Sequence, residues 1–166
     1  FALPILQKLM SGPYGMIRAL IIVPTRELCE QVCESIVFFG GNTKLRSMAV
    51  YGGVSKSPQA KQLFRGLEIL VACPGRLLDH LSDGNIDLSR VEVLVLDEAD
   101  RMCDMGFLPD VRRIISFLPN KRQTLFFAST MPDDIRRLAN RILNDPVTVQ
   151  IGVIAPAETV SHFIYP

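Results

Sequence analysis

The sequence has no excess of charge of either sign. Its 166 residues contain 18 lysines and arginines against 17 aspartates and glutamates, so the formal net charge is +1. A protein that attracts nucleic acid through its overall electric field carries a clear basic excess. The composition therefore excludes general electrostatic attraction, and any nucleic-acid site has to be local.

The sequence also lacks cysteines at paired spacing. Its four cysteines are scattered at Cys29, Cys33, Cys73 and Cys103. Cys29 and Cys33 lie one helical turn apart and could share a metal ion, but no second pair of ligands follows them. We interpret all four as reduced cysteines that pack in the interior of a cytoplasmic protein.

No segment has the length and composition of a membrane span. The first ten residues are apolar, but they contain Pro4 and Lys8 and have no basic leader. A membrane span needs about 20 apolar residues, and a signal peptide needs a positive leader. We therefore expect neither. Because the first residue is not methionine, we expect the chain to be cut from a longer protein.

What is present is a regular alternation of short apolar runs and amphipathic segments. The runs lie at residues 19–23, 46–51, 68–72, 91–96, 123–127 and 147–151. Between them, apolar residues recur at helical spacing, as in Leu28, Val32 and Ile36. The run at 91–96 is unbroken, as in a central parallel strand that is buried on both faces. Six strands alternating with helices predict one α/β domain with a parallel sheet.

The residues that follow each predicted strand are the candidates for a site, because ligands of parallel sheets collect at the carboxyl ends of the strands. Taken singly, each group has an ordinary explanation as a helix cap, a glycine turn or a loop. The groups are Pro24-Thr25-Arg26-Glu27, Gly52-Gly53, Pro74-Gly75-Arg76, Asp97-Glu98-Ala99-Asp100 and Ala128-Ser129-Thr130.

Together, the order and separation of these groups resemble the DEAD-box ATP-dependent RNA helicases. The resemblance extends to Arg101-Met102 and Asp104-Met105-Gly106-Phe107, and it covers essentially the whole chain. Gly52-Gly53-Val54-Ser55 and Ala155-Pro156-Ala157-Glu158 resemble the bacterial RhlE-type branch in particular. The resemblance implies a RecA-like parallel sheet flanked by helices and truncated at its N-terminus. It assigns residues 1–152 to the first RecA-like domain and 153–166 to a linker toward a second one.

The resemblance also implies roles for the residues at the strand ends. Asp97, at the tip of a buried strand, would bind the Mg²⁺ of ATP through water, and Glu98 would polarise the attacking water. Asp100 would bond to the segment Ser129-Thr130 and couple ATP to strand opening. Contacts to the RNA backbone, with little sequence specificity, are implied for Pro24, Thr25, Arg26, Gly52, Gly53, Pro74, Gly75 and Arg76.

Three features depart from the family pattern. The glycine-rich loop that cradles the ATP phosphates is not among the 166 residues, and residues 1–6 match the helix that normally follows it. Ala128-Ser129-Thr130 replaces the family's Ser-Ala-Thr. Since successive residues of a strand point to opposite faces, we expect the Ser129 hydroxyl to turn away from Asp100. Cys73 stands where the family usually has threonine.

Two functions are consistent with these observations. The chain is a fragment of an ATP-dependent RNA helicase, inactive by itself and unable to hold ATP and Mg²⁺, or it is a binding module for RNA or protein that acts without ATP. A phospho-receiver domain with Asp97 as the acceptor is a third interpretation, which the blocks Pro24-Thr25-Arg26-Glu27-Leu28 and Pro74-Gly75-Arg76-Leu77 disfavour.

The resemblance has a further consequence for the sheet. In the fold that the chain resembles, another strand lies between those corresponding to residues 123–127 and 147–151. That strand precedes the phosphate-binding loop and is not among the 166 residues, so both neighbouring strands should have unpaired edges. Either the two strands close up and pair directly, or the exposed edges recruit another chain. We expect the second outcome, in which the chain self-associates.

Overall fold

The computed structural model describes residues 1–151. The predicted linker at 153–166, with its segment Ala155-Pro156-Ala157-Glu158, lies outside the described residues. The strands are β1 (Ala19–Ile22), β2 (Ser47–Val50), β3 (Ile69–Ala72), β4 (Val93–Leu96) and β5 (Gln123–Phe126). The helices are α1 (Ala2–Leu9), α2 (Arg26–Gly40), α3 (Lys56–Leu63), α4 (Pro74–Ser82), α5 (Ala99–Asp104), α6 (Leu108–Ile115) and α7 (Asp133–Ile142).

The five strands form one parallel sheet in the order β2-β3-β1-β4-β5. Every residue of β1, β3 and β4 is buried, because helices cover both faces of the sheet. This double burial explains why the strands read as continuous apolar runs. The predicted α/β class with a parallel sheet and flanking helices is confirmed.

Each face of the sheet has its own apolar core. Helices α1 and α2 pack on one face through Ile5, Leu9 and Ile36, together with side chains such as Val71 and Val95 of the sheet. The other five helices pack on the opposite face, where the core residues include Leu77, Met102, Val111, Ile114 and Ile135. Of the helices in residues 1–151, none combines the length and the apolar character that crossing a membrane requires.

The predicted sixth strand at 147–151 is wrong. The chain has no strand structure there, and the side chains of Val147 and Ile151 are 91% and 94% exposed. A strand needs a neighbouring edge within hydrogen-bonding distance, and a cleft of about 700 Å³ separates this segment from β5. The alternating pattern was real, but no partner strand lies beside it in the described part of the chain.

The sequence pattern also missed a helix. Helix α5 has only six residues and directly follows the acidic group at the end of β4. Six residues span less than two helical turns, so no apolar periodicity could have indicated it.

Candidate functional site

The carboxyl ends of all five strands meet at one edge of the sheet. Backbone hydrogen bonds continue one residue past the strands and align these ends. The N–H groups donate to carbonyls of the neighbouring strand at 2.8–3.1 Å, in the pairs Val23 to Ala72, Cys73 to Val50, Asp97 to Ile22 and Phe127 to Leu96. The sheet order then places the glycine and arginine groups beside the acidic group. The start of α1 lies at the same edge, with the Phe1 ring 5.7 Å from that of Phe127.

Asp97 is the first residue after the buried strand β4. One of its carboxylate oxygens accepts a hydrogen bond from the backbone N–H of Glu98 at 3.0 Å. Burial raises the pKa of Asp97, and the charge of Glu98 acts in the same direction, while the hydrogen bond from Glu98 partly opposes both. The ionised carboxylate is therefore held in an unfavourable place, which a cation would relieve.

The acidic group fits a magnesium ion that is bound mainly through other ligands. No set of three or more His, Cys, Asp or Glu side chains is arranged around a metal position within residues 1–151. Mg²⁺ commonly uses one or two carboxylates and completes its octahedron with water and substrate phosphates. Asp97 could serve as one such carboxylate.

Glu98 has a left-handed backbone, with φ of 50° and ψ of 49°. This conformation is costly for a residue with a side chain, and it occurs preferentially at functional sites. Two contacts hold it, since the Glu98 N–H bonds to Asp97 and the Ala99 N–H donates to Phe127 at 3.0 Å. The Glu98 carboxylate accepts a hydrogen bond from Arg101 at 3.0 Å.

Asp100 connects α5 to the segment that follows β5. Its Oδ2 atom accepts hydrogen bonds from the Ser129 N–H at 3.1 Å, the Thr130 N–H at 2.8 Å and the Thr130 hydroxyl at 3.0 Å. Burial raises the pKa of Asp100, but the hydrogen bonds from Thr130 and from the backbone of Arg101 and Asp100 together outweigh it and lower the pKa. In the described structure the Ser129 hydroxyl donates no hydrogen bond to Asp100, as expected from its shifted position.

Thr25 and Arg26 begin helix α2 at the end of β1. The Thr25 hydroxyl oxygen accepts a hydrogen bond from the Leu28 N–H at 3.3 Å and so caps the helix, and Pro24 is buried behind it. The Arg26 guanidinium lies 4.8 Å above the centre of the Tyr51 ring and 3.3 Å from Glu30. About half of the Arg26 side chain remains exposed, so this cation is accessible.

The glycines at the edge border open space. A methyl group added at Gly52, Gly53 or Gly75 would meet no other atom within 4 Å. Of these three residues, only Gly53 has a left-handed backbone conformation that favours glycine, with φ of +79°. Packing within the described fold therefore does not explain Gly52 or Gly75, although close approach of a ligand to their backbone would.

Arg76 is engaged inside the protein, whereas the sequence had suggested a phosphate contact. Its guanidinium donates to the Gln59 side chain at 3.0 Å and to the Val54 carbonyl at 2.9 Å, and only 12% of the side chain is exposed. The strand-end pattern in the sequence does not indicate Gln59. Gln59 lies one turn before Leu63, on the buried side of α3. A polar side chain at a buried position needs a hydrogen-bond partner, and this position could have indicated its role.

Comparison with known proteins identifies the family. Residues 1–138 match the protein family described as "DEAD/DEAH box helicase". The chain belongs to this family. The matched residues include the acidic group after β4 and every group at the strand ends that precede it, so the arrangement at this edge is that of a DEAD-box domain.

Two fungal relatives illustrate the similarity. The ATP-dependent RNA helicase DBP2 of Vanderwaltozyma polyspora is 47% identical over 146 residues, which are 88% of this chain and 33% of the relative. DBP2 of Mycosarcoma maydis is 48% identical over 157 residues, which are 92% of this chain and 28% of the relative. The chain thus spans a third or less of the length of these relatives, and they do not point to the bacterial RhlE-type branch.

A solved structure confirms the RecA-like fold. The yeast DEAD-box splicing factor Prp28 aligns with 95% of this chain and 39% of its own, at 34% identity and a TM-score of 0.87. The DEAD-box domain described above therefore has the architecture of the N-terminal RecA-like domain of this family.

Proposed function

We propose that residues 1–152 form the first motor domain of an ATP-dependent RNA helicase, which hydrolyses ATP when RNA is bound and opens short RNA duplexes. Residues 153–166 would lead to a second RecA-like domain. One observation carries the proposal. The acidic group after β4 and the glycine and arginine groups after β1, β2 and β3 share one edge of the sheet, and Asp100 is tied to Thr130 there.

The acidic group would act on ATP. Asp97 would hold Mg²⁺ through water, and the bound ion would neutralise charge on the phosphates during transfer of the γ-phosphoryl group. Glu98 would orient a water molecule and accept its proton. The Glu98 carboxylate also accepts a hydrogen bond from Arg101 at 3.0 Å. Phe1 lies at the same edge of the sheet as Asp97, beside Phe127. A phosphate-binding loop that preceded α1 would therefore reach this site.

The glycine and arginine groups would bind RNA. Gly52, Gly53 and Gly75 leave open space beside their backbone, and Arg26 offers a half-exposed cation. The first turns of α2 and α4 add backbone N–H groups that suit phosphate oxygens. Such contacts grip the sugar-phosphate chain, so we expect little preference for base sequence.

Asp100 would couple the two activities. Its three hydrogen bonds join the segment with Asp97 and Glu98 to the segment after β5. A shift of α5 on ATP binding or hydrolysis would therefore move Thr130 directly, and the second RecA-like domain would respond to that movement.

The test is a chimaera in which residues 1–152 replace the matching segment of a DBP2 relative, while the phosphate-binding loop and the second domain of that relative are kept. Glu98→Gln should lower RNA-stimulated ATP hydrolysis by about a hundredfold or more, because it removes the proton acceptor. RNA binding should persist. Glu34→Gln, which removes the same charge from an exposed position on α2, is the matched control. Full ATP turnover by the Glu98→Gln chimaera would disprove the role.

Two finer assignments are also proposals. The segment Gly52-Gly53-Val54-Ser55 supports a position near the RhlE-type branch, which placement of the full-length sequence in a family tree would test. The four cysteines are free, which supports a reducing compartment such as the cytoplasm. Imaging of a tagged full-length protein would test the location.

A further inference from the structure

A single buried amide, that of Gln59 on α3, contacts two of the segments to which RNA binding is assigned. The side chain is only 8% exposed in total. Its Nε2 atom donates to the carbonyl of Tyr51 at 3.2 Å, and its Oε1 atom accepts from the Arg76 guanidinium at 3.0 Å. Tyr51 directly precedes Gly52, and Arg76 directly follows Gly75.

Arg76 completes the connection from the other side of the glycine turn. Its second guanidinium nitrogen donates to the carbonyl of Val54 at 2.9 Å. The turn Gly52–Gly53 is therefore held at Tyr51 by Gln59 and at Val54 by Arg76. The two glycines themselves have open space around their Cα atoms, so neighbouring side chains do not confine them.

His80 fixes the orientation of the Gln59 amide. The imidazole is fully buried, with Nε2 3.2 Å from Gln59 Oε1 and Nδ1 3.2 Å from the side-chain nitrogen of Asn85. An amide nitrogen can only donate, so Nδ1 is the acceptor and Nε2 carries the proton. Burial lowers the pKa of His80, as do the charges of Lys56 and Arg76, against smaller opposing effects of Asp83 and Asp79. The neutral ring that this geometry needs is the favoured form.

We propose that Gln59 is a positioning residue for RNA binding, which acts through Tyr51 and Arg76 to hold the Gly52–Gly53 turn and the first turn of α4 in one arrangement. The inference rests on the proposed function and adds a residue that need not touch RNA. A turn that is ordered in advance loses less conformational freedom when a ligand binds. Without the amide, the turn would have to be ordered by the RNA.

The experiment compares the 166-residue chain with Gln59→Leu by NMR during titration with single-stranded oligouridylate. In the unmodified chain, RNA should shift the amide signals of Gly52, Gly53 and Gly75. In Gln59→Leu we expect roughly tenfold weaker binding, equivalent to ordering about one residue. The free variant should also show greater motion at Gly52 and Gly53 on the nanosecond timescale, while amide signals far from residue 59 stay in place.

Two further variants complete the design. Gln59→Glu retains the acceptor for Arg76 and His80 but loses the donor to Tyr51, so its affinity should be intermediate; it replaces Gln59→Leu if that variant does not fold. Gln62→Leu makes the same change at an exposed position of α3 and should bind as the unmodified chain does.

The outcomes separate the inference from the proposed function. Weaker binding with a mobile turn supports the positioning role. Equal affinity and an equally rigid turn in Gln59→Leu and Gln59→Glu overturn it, while the RNA site stands. If RNA shifts none of the three glycine signals in the unmodified chain, the RNA-binding part of the proposed function fails and the inference fails with it.

Discussion

Two carboxylates of the acidic group have opposite environments although they lie three residues apart. The pKa of Asp97 is raised, mainly by burial, whereas the pKa of Asp100 is lowered because the hydrogen bonds from Thr130 and from the backbone of Arg101 and Asp100 together outweigh its burial. Such separation of neighbouring acids often assigns them different tasks. Here the buried carboxylate of Asp97 has no cation beside it in the described structure, whereas the carboxylate of Asp100 already accepts hydrogen bonds from Ser129 and Thr130.

Replacing Asp97 should make the domain more stable at neutral pH. A carboxyl whose pKa is raised on folding favours the folded state only while it is protonated, so its contribution is lost as the pH rises through the folded pKa. Asp97→Asn keeps an oxygen for the Glu98 N–H and removes the buried charge. Urea denaturation should show a higher free energy of unfolding than for the unmodified chain at neutral pH, and little difference in strong acid.

The control for this measurement is Glu34→Gln, since Glu34 is exposed on α2. It should change stability little at either pH. If Asp97→Asn unfolds at a lower urea concentration than the unmodified chain at neutral pH, the burial of the charge is not the dominant effect at this position.

Thr130→Val should raise the pKa of Asp100 and destabilise the domain by about 1 kcal/mol at neutral pH, because one hydrogen bond to the carboxylate is lost. A carboxyl with a lowered pKa contributes stability above its unfolded pKa, and this contribution disappears as the pH falls through its folded pKa. The deficit should therefore vanish in strong acid. NMR titration of the carboxyl carbon and urea denaturation measure the two effects.

Ser129→Ala provides the comparison for Thr130→Val. Its backbone N–H still donates to Asp100 at 3.1 Å, so the pKa of Asp100 should not change. An equal pKa shift in both variants would mean that the Thr130 hydroxyl is not the specific partner of Asp100.

At the scale of elements, the segment after β5 differs from the family pattern by an exchange of two residues. The chain bends at Ser129, and the consecutive N–H groups of Ser129 and Thr130 both donate to Asp100. Thr130 bonds to Asp100, while Ala128 packs against the apolar core. The Thr130 hydroxyl donates to Asp100 and that of Ser129 does not, whereas the family order would place the second hydroxyl at residue 128.

Restoring the family order should strengthen coupling in the DBP2 chimaera. Ala128→Ser together with Ser129→Ala is expected to raise the rate of RNA duplex unwinding more than the rate of ATP hydrolysis, because a second hydroxyl would reach Asp100. The ratio of the two rates is the measurement. An unchanged ratio would show that the backbone N–H groups and Thr130 already provide full coupling.

The outer edge of β5 is the main feature at the scale of the whole molecule. Gln123 and Phe127 direct their N–H groups toward β4, so the alternate residues Thr124 and Phe126 present theirs to the cleft of about 700 Å³. Unsatisfied backbone groups cost about 1–3 kcal/mol each when they are buried. An edge of this kind is a template for another strand.

We therefore predict that the 166-residue polypeptide self-associates through β5. Light scattering across a hundredfold dilution series should show a mass that falls toward the monomer on dilution. Thr124→Pro removes only the outward N–H and keeps the hydrogen bonds to β4, so it should weaken association. A monomer at every concentration would contradict the prediction.

Much of the fold was predictable from local sequence because its strands are buried on both faces. The apolar run that contains β4 needs no knowledge of its neighbours, and the Pro and Gly residues after β1, β2 and β3 mark where each strand ends. The segment 147–151 shows the limit of this reasoning. Its β-branched pattern satisfies the local preference, yet a strand exists only where another strand lies beside it.

By itself, the sequence determined the order of the five strands and of every described helix except α5, the edge at which the functional groups collect, and the family. These depend on the spacing of residue types along the chain. Only the tertiary structure decided that Arg76 turns inward and that Gln59 contacts both Tyr51 and Arg76, and it gave the atoms through which Thr130 bonds to Asp100. The contact between Arg76 and Gln59 spans 17 positions, and the contact between Thr130 and Asp100 spans 30. Such partners are selected by the packing of α3, α4 and α5 on the sheet, which no single segment specifies.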